Sequence, residues 1–310
     1  MESTKSRNLF FQLKPKVEGF PHCRRLLKGA LYEKTGHIIH DSIRKGGIHG
    51  DHVISIAPII IDPNTQVNEV IEGNSAYLGN LYSHYGHFIT EGLSRFFDFE
   101  NLNNFDSILF SPFIFDYPKT QLRDYHKYFF EQLGIDQSKI KVLYNTVKIE
   151  KVTVFKQLWT LNDSVEPELN RLYEYLRGIK PQNKIVGQRF FFSRRKEDRI
   201  SNQEEVQNLF VSEGFKLLFP EEISLEEQMS IYKGENLIVT TSGSIAHNLL
   251  FANFHTRFIE LGDQRSFEKP HVNQELVNSL AVADYKFIPF ETTDGKNWNL
   301  QALKKLIKSF

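Results

Sequence analysis

The stretch Leu237-Ile238-Val239-Thr240-Thr241-Ser242-Gly243-Ser244 decides how the rest of the chain is read. Three consecutive aliphatic residues with no polar alternation mark a strand covered on both faces, as in a parallel sheet. The small residues after it form a tight connection into a short helix at 244–251. Outward from this point the pattern repeats. Upstream lie a strand at 188–192, a helix at 202–213 with Val206, Leu209 and Phe210 inward, and a strand at 216–219. A further helix runs to 233, capped by Ser224 with Glu227 as its capping-box partner. Downstream, Arg257-Phe258-Ile259-Glu260 is the next strand. Strands alternating with helices of about ten residues imply right-handed crossovers and a doubly wound α/β sheet.

The first half is α/β of a less regular kind. A hairpin is expected around the Glu33-Lys34-Thr35-Gly36 turn, with strands at 53–61, 107–110, 141–144 and 152–155. Helices are expected at 83–97, at 119–133 (closed by Gly134) and at 166–179. The polar stretch Pro181-Gln182-Asn183-Lys184 is the candidate boundary, which gives an N-terminal domain at 1–180 and a C-terminal one at 181–310. Residues 299–310 put Leu300, Leu303, Leu306, Ile307 and Phe310 on one face and Lys304, Lys305 and Lys308 on the other. That is a docking helix, with the first domain as one candidate surface for it.

Composition removes several function classes. At roughly 150 residues per domain, 310 residues fit two domains or one large α/β unit. With 38 basic and 38 acidic side chains there is no cationic excess to hold a nucleic acid. The single cysteine, Cys23, makes neither an internal disulfide nor a CxxC zinc site. The longest apolar run, 53–61, contains Ser55 and Pro58 and falls short of the ~20 residues of a spanning helix. The first thirty residues carry Lys5, Arg7, Lys14 and Lys16 and no apolar core, so no signal peptide is expected there. The expectation is a cytoplasmic protein without a transmembrane segment; a homo-oligomer is compatible with it.

Doubly wound sheets bind ligands at the carboxyl ends of their strands, and three candidates fall there. Ser193-Arg194-Arg195-Lys196 is either a diphosphate site or an exposed basic turn paired with Glu197 and Asp198. The loop at 240–244 is either an anion site, using the N–H groups that open the next helix, or a capped tight turn; Asn248 lies one turn on. It is neither a Walker loop nor a GxGxxG. Glu260 is placed either to hold ribose hydroxyls or to be an ordinary carboxylate. In the first half, His84, His87, Glu91 and Arg95 are spaced three, four and four, which puts them on one helical stripe. A carboxylate beside an imidazole and a guanidinium can serve as a general base; the alternative is a solvated charged face. Metal ligation by His84, His87 and Glu91 lacks a fourth ligand, and no metal or other cofactor is expected.

Taken in order, Phe192-Ser193-Arg194-Arg195, Arg199-Ile200, Asn202, Glu204-Glu205-Val206, Gly214-Phe215, Pro220-Glu221, Ser224-Leu225 and Glu227-Gln228 resemble the C-terminal half of glycosyltransferase family 61. The loop and helix from Ser242 to Phe251 continue the resemblance. Tyr85-Gly86-His87-Phe88 with Glu91 and Arg95 is similar to the family's N-terminal histidine–glutamate–arginine helix, and Leu31-Tyr32 with Ser42-Ile43-Arg44 is a fainter echo. The resemblance implies a GT-B-like architecture, two Rossmann-type domains facing across a cleft, with a nucleotide-sugar donor on the second and an acceptor on the first. It further implies work in capsular-polysaccharide or lipopolysaccharide synthesis, where a lipid-linked saccharide acceptor would bring the protein to the inner face of the membrane. By the same resemblance Arg194 and Arg195 neutralise the donor diphosphate, Ser242, Gly243, Ser244 and Asn248 line the nucleotide, and His87, Glu91 and Arg95 face the acceptor; Glu260 joins the donor side by its place at a strand end and His84 the acceptor side by the helical stripe. One departure is Ser242, where many members carry histidine.

No Asp-x-Asp occurs in the chain, so arginines are expected in place of a metal at the diphosphate. Inversion at the anomeric carbon is expected, with Glu91 as base and His87 as runner-up. Two rival readings stay open: a catalytically silent sugar-nucleotide-binding or scaffold subunit, which Ser242 favours, and a sugar-phosphate or polyol-phosphate transferase.

Overall fold

A mixed six-stranded sheet forms the first unit of the computed structural model, which describes residues 9–14, 28–45, 61, 62, 64, 67, 69–112, 121–181, 183–195 and 199–310. Its strands are β1 (Leu9–Lys14), β2 (Lys28–Tyr32), β3 (Val70–Leu81), β4 (Ser107–Pro112), β5 (Ile140–Val142) and β6 (Val147–Val154). The order is β2-β1-β6-β3-β4-β5. The four strands β6, β3, β4 and β5 are parallel, while β1 runs antiparallel to both β2 and β6. A two-stranded ribbon, β7 (Trp159–Thr160) with β8 (Ser164–Val165), completes the strands of this unit among the described residues.

The twelve-residue β3 is the axis of the sheet, and the sequence pattern does not announce it. Its register slips between Ile71 and Asn74 and again between Tyr77 and Asn80. Gly73 and Gly79 sit at those slips with φ of +81° and +74°, a conformation that side chains resist. Two bulges break the alternation that would have revealed the strand. From β3 the chain winds through β4 to β5 on one side, then returns as β6 on the other. The direction of winding therefore reverses between β3 and β6.

The expected turn at 33–36 is present: Glu33 N–H donates to His37 O at 2.8 Å, and Tyr32 pairs antiparallel with Ile38. Of the expected strand at 53–61, residues 53–60 lie outside the described residues. The expected helix at 83–97 is irregular: α1 (Tyr85–His87), a π turn (Phe88–Gly92) and a 3₁₀ turn (Leu93–Arg95) follow one another. It is followed by α2 (Asp124–Gln132), within the expected 119–133; residues 119 and 120 lie outside the described residues. Gly134 closes it in the left-handed conformation, with Gly134 N–H on Glu131 O and Ile135 N–H on Phe130 O.

The chain divides into two compact units, Met1–Leu172 and Tyr173–Phe310, and passes from one to the other within α3 (Asn170–Gly178). The second unit holds β9 (Arg189–Phe192), α4 (Gln203–Ser212), β10 (Lys216–Leu218), α5 (Leu225–Tyr232) and β11 (Leu237–Thr241). After them come β12 (Arg257–Leu261), α6 (Val272–Leu280), β13 (Asp284–Ile288) and α7 (Leu300–Ile307). Its five strands are all parallel in the order β10-β9-β11-β12-β13. All five residues of β11 are buried, as an uninterrupted apolar strand requires. The winding reverses between β9 and β11. Where a short helix was expected at 244–251, the segment after β11 is a six-residue 3₁₀ helix, Ala246–Phe251.

One core joins the sheet to its helices through Phe191, Val206, Phe210, Val239, Ile259, Leu303 and Ile307. Leu303 and Ile307 belong to α7, so the C-terminal helix docks within its own unit. Both units are thus α/β with parallel strands. Among the described residues no helix is long and apolar enough to cross a membrane.

Candidate active site

In each sheet the winding reversal opens a place for a ligand beyond the carboxyl ends of two adjacent strands. The first-unit reversal lies between β3 and β6, and β3 runs directly into Tyr82, His84 and the irregular helical run. That run is buried on most of its circumference, which excludes the solvated charged face. Glu91 is 1% exposed. Its carboxylate takes a bidentate fork from Arg44, Nε to Oε1 at 2.6 Å and Nη2 to Oε2 at 2.7 Å. His87 Nδ1 meets the same Oε2 at 2.6 Å.

The π turn sets this geometry. Leu93 N–H bonds to Phe88 O, five residues back, so the turn is widened by one residue between His87 and Arg95. Thr90 and Ser94 return their hydroxyls to Gly86 O and Glu91 O, the side-chain competition that loosens a regular helix.

Burial pushes the Glu91 carboxyl up, but the Arg44 charge and the His87 bond outweigh it and hold the group below the usual carboxylate range. An ionised carboxylate only accepts, so His87 Nδ1 is the donor of their bond and the ring is held by that nitrogen. The His87 side chain is 25% exposed, against 0% for that of Glu91. Tyr82 stacks on His87 with ring centroids 6.1 Å apart, and the exposed His84 ring lies 5.0 Å from it. Arg44 sits over the Tyr82 ring at 5.3 Å. The Tyr82 hydroxyl is driven up by burial and stays neutral.

Two corrections follow in this unit. Glu91, expected as the base, has both oxygens engaged by Arg44 and His87 and its side chain fully buried. Arg95, expected on the acceptor side, is 3% exposed and donates to three backbone carbonyls, those of Asp41 at 2.7 Å, Ile43 at 2.9 Å and Phe155. It is a clamp inside the fold.

In the second unit Ser193 and Arg194 follow β9 and the 242–244 loop follows β11, so the sheet brings these two expected segments to one reversal. Arg194 is half-buried, with its carbonyl held by Gln203. Arg195 is exposed, lies over the Phe219 ring at 3.6 Å and pairs with Glu222 at 2.5 Å. The charge of Arg195 is therefore already partnered by Glu222; Glu197 and Asp198, the partners considered from sequence, lie outside the described residues.

Glu260, considered for ribose hydroxyls, is fully buried with both oxygens engaged: Ser242 Oγ donates to Oε1 and the Tyr285 hydroxyl to Oε2, each at 2.6 Å. Burial pushes its carboxyl up, against the pull of those two donors. The Ser242 side chain therefore turns into the core, and buried Asn248 donates to the Tyr232 hydroxyl at 3.2 Å. Both support the loop from below. Gly243 and Ser244 remain partly exposed.

Sequence reasoning assigned no role to Arg199, which crosses the reversal. Its Nη1 donates to Ser242 O and lies 3.6 Å from the buried Asp263 carboxylate. Gly243, at φ +128°, leaves the room that guanidinium occupies. Arg44 and Tyr82 were missed likewise. The available signal was the resemblance itself, whose quoted segments contain both Arg44 and Arg199. Among the described residues no group of three or more His, Cys, Asp or Glu is placed to hold a metal ion.

Compared with known families, the chain matches the profile described as Glycosyltransferase 61 over residues 85–259, more than half of its length. That span contains the His87–Glu91 pair, Arg194, Arg199 and the 242–244 loop. A comparison with curated proteins finds no match.

Proposed function

Because the chain belongs to glycosyltransferase family 61, and is therefore a glycosyltransferase with a sugar donor and an acceptor, we propose that it transfers a sugar from a nucleotide-diphosphate donor to a saccharide hydroxyl, with inversion. The observation that carries this reading is the His87–Glu91–Arg44 arrangement beyond β3. It supplies an imidazole oriented by a buried carboxylate and partly exposed at 25%, the kind of group that deprotonates an acceptor hydroxyl near neutral pH.

In the step, the acceptor O–H gives its proton to His87 Nε2 while its oxygen forms the bond to the anomeric carbon. The bond from that carbon to the diphosphate oxygen breaks, and the nucleoside diphosphate leaves with the electron pair. Glu91 stabilises the imidazolium that forms. We assign the donor to the second unit, with Arg194 and Arg199 near the diphosphate and Gly243-Ser244 against the nucleotide. Two parallel-stranded α/β units and the missing Asp-x-Asp support a GT-B-like, metal-independent enzyme. The family resemblance supports cell-surface polysaccharide as the product and a saccharide, free or lipid-linked, as the acceptor, with the enzyme on the cytoplasmic side of the membrane.

A thermal-shift screen against UDP, GDP, dTDP, CDP and the matching nucleotide sugars, with and without EDTA, tests the donor assignment. A ligand at a hundred times its Kd stabilises the folded state by about 2.7 kcal/mol. A selective shift by one nucleotide that survives EDTA is expected. No shift with any of them overturns the donor assignment, and a shift that EDTA abolishes overturns the metal-free one.

A further inference from the structure

We infer that Arg44 is a positioning residue of this reaction: it holds Glu91 as a carboxylate and thereby keeps His87 a neutral imidazole with its lone pair on Nε2. The inference rests on the reading of His87 as the base.

Three observations carry it. The Arg44 fork engages both Glu91 oxygens, and its side chain is only 8% exposed, so the pair is a desolvated ion pair and not a surface one. The backbone on either side of Arg44 is pinned by buried polar side chains from elsewhere in the unit. Arg95 holds the carbonyls of Asp41 and Ile43. Gln157 holds Lys45 by both its groups, accepting from Lys45 N–H at 3.1 Å and donating to Lys45 O at 3.0 Å. Finally, Arg95 reaches Phe155 O, and Phe155 and Gln157 lie just past β6 while Glu91 follows β3. The bracket therefore draws on both strands that flank the winding reversal.

The chemistry follows from charge. With Arg44 present, the trio of guanidinium, carboxylate and neutral imidazole sums to zero. Without it, a buried carboxylate beside an imidazole is neutralised by drawing a proton onto the ring, and an imidazolium has no lone pair with which to take a hydroxyl proton. Among the described residues, the other charged or titratable groups facing the pair include Tyr82, His84 and, through Tyr82, Arg95. Tyr82 is neutral, and none of the others replaces the fork on Glu91.

The test is histidine ring NMR on the full chain labelled with ¹⁵N-histidine, the His87 signals being assigned by their loss in His87→Asn. In the native protein His87 is expected as the single Nδ1–H tautomer at neutral pH. Arg44→Met should raise its proton affinity at least tenfold, leaving it protonated at pH 7. Arg44→Lys keeps the charge but not the fork, so its affinity should stay near native while the two tautomers mix. A His87 titration unchanged within twofold in Arg44→Met, or a single unaltered tautomer in Arg44→Lys should the first variant not fold, overturns the inference. Nucleoside-diphosphate release from the nucleotide sugar selected by thermal shift separates the two failures. Full turnover in His87→Asn sinks the base reading, and the inference with it. Lost turnover in His87→Asn with native kcat in both Arg44 variants sinks the inference alone; a tenfold fall in kcat at unchanged KM in Arg44→Lys is expected.

Discussion

Arg95 is the most demanding residue of the first unit, a buried guanidinium whose hydrogen bonds go to three backbone carbonyls. Burial lowers its affinity for the proton, yet an arginine starts so high that it stays charged. Its place depends on Gly79. At φ +74° that residue lies in left-handed space, and a Cβ added there would stand 2.5 Å from Arg95 Nε. Gly134 is the natural control: its φ is +66°, and nothing lies within 4 Å of a Cβ built on it. Gly134→Ala should therefore cost only the conformational term, about 1–2 kcal/mol. Gly79→Ala should cost clearly more, because the arginine has to shift as well. Urea unfolding of the two variants beside the native protein checks this, and equal losses would show that Arg95 yields freely. The same residues mark what sequence could reach. His87 and Glu91 are legible as a pair because four residues is one helical turn. Arg44 stands forty-seven residues from Glu91, and only the fold sets it there.

At the scale of elements, legibility follows how closely each segment obeys its own period. The uninterrupted β11, the capped α5 and the glycine-closed α2 each express a local rule, and each forms where the residues predict. β3 defeats the rule through two bulged glycines, and β13 is a half-exposed edge strand, missed between the last predicted strand and the C-terminal helix. The helical run at 85–95 is predicted as a helix but not as a π turn, since hydroxyls folding back on carbonyls leave no periodic trace. Between α3 and α5 a further contact makes a measurable claim. Lys233, at the end of α5, is buried and donates its ammonium to the carbonyls of Leu176 and Ile179 at the end of α3, a cation on a helix C-terminus. Burial pulls its pKa from 10.5 to about 8. Between those values the unfolded chain binds the proton more tightly than the folded one, so stability rises with pH as the folded lysine releases it. Lys233→Met removes the titration. The stability difference, native minus variant, should grow by roughly 2 kcal/mol from pH 7 to pH 9.5. A difference that stays flat would mean that the ammonium is better solvated than its burial indicates.

For the whole molecule, the two sheets share one device: each reverses its winding beside a central strand, and each places its candidate chemistry just past that point. The second sheet shows this in its sequence, since its three central strands, β9, β11 and β12, are mostly buried apolar runs. The first hides it behind an antiparallel edge and an interrupted axis, which is why its base could be guessed and its supporting arginine could not. The reading divides the labour, with the donor on the second unit and proton removal on the first. That division makes a claim about two variants measured side by side. Arg194→Ala should weaken nucleotide binding about tenfold, a loss of about 1.4 kcal/mol. His87→Asn should leave nucleotide binding as it is and lower transfer by roughly 10²–10⁴, the usual range for a lost general base. Isothermal titration with the selected nucleoside diphosphate, followed by a transfer assay on the same preparations, reads both effects. If His87→Asn weakens the nucleotide as much as Arg194→Ala does, the imidazole belongs to the donor site and not to the acceptor. If Arg194→Ala binds normally, the diphosphate is met elsewhere, and Arg199, already spanning the reversal, becomes the residue to substitute next.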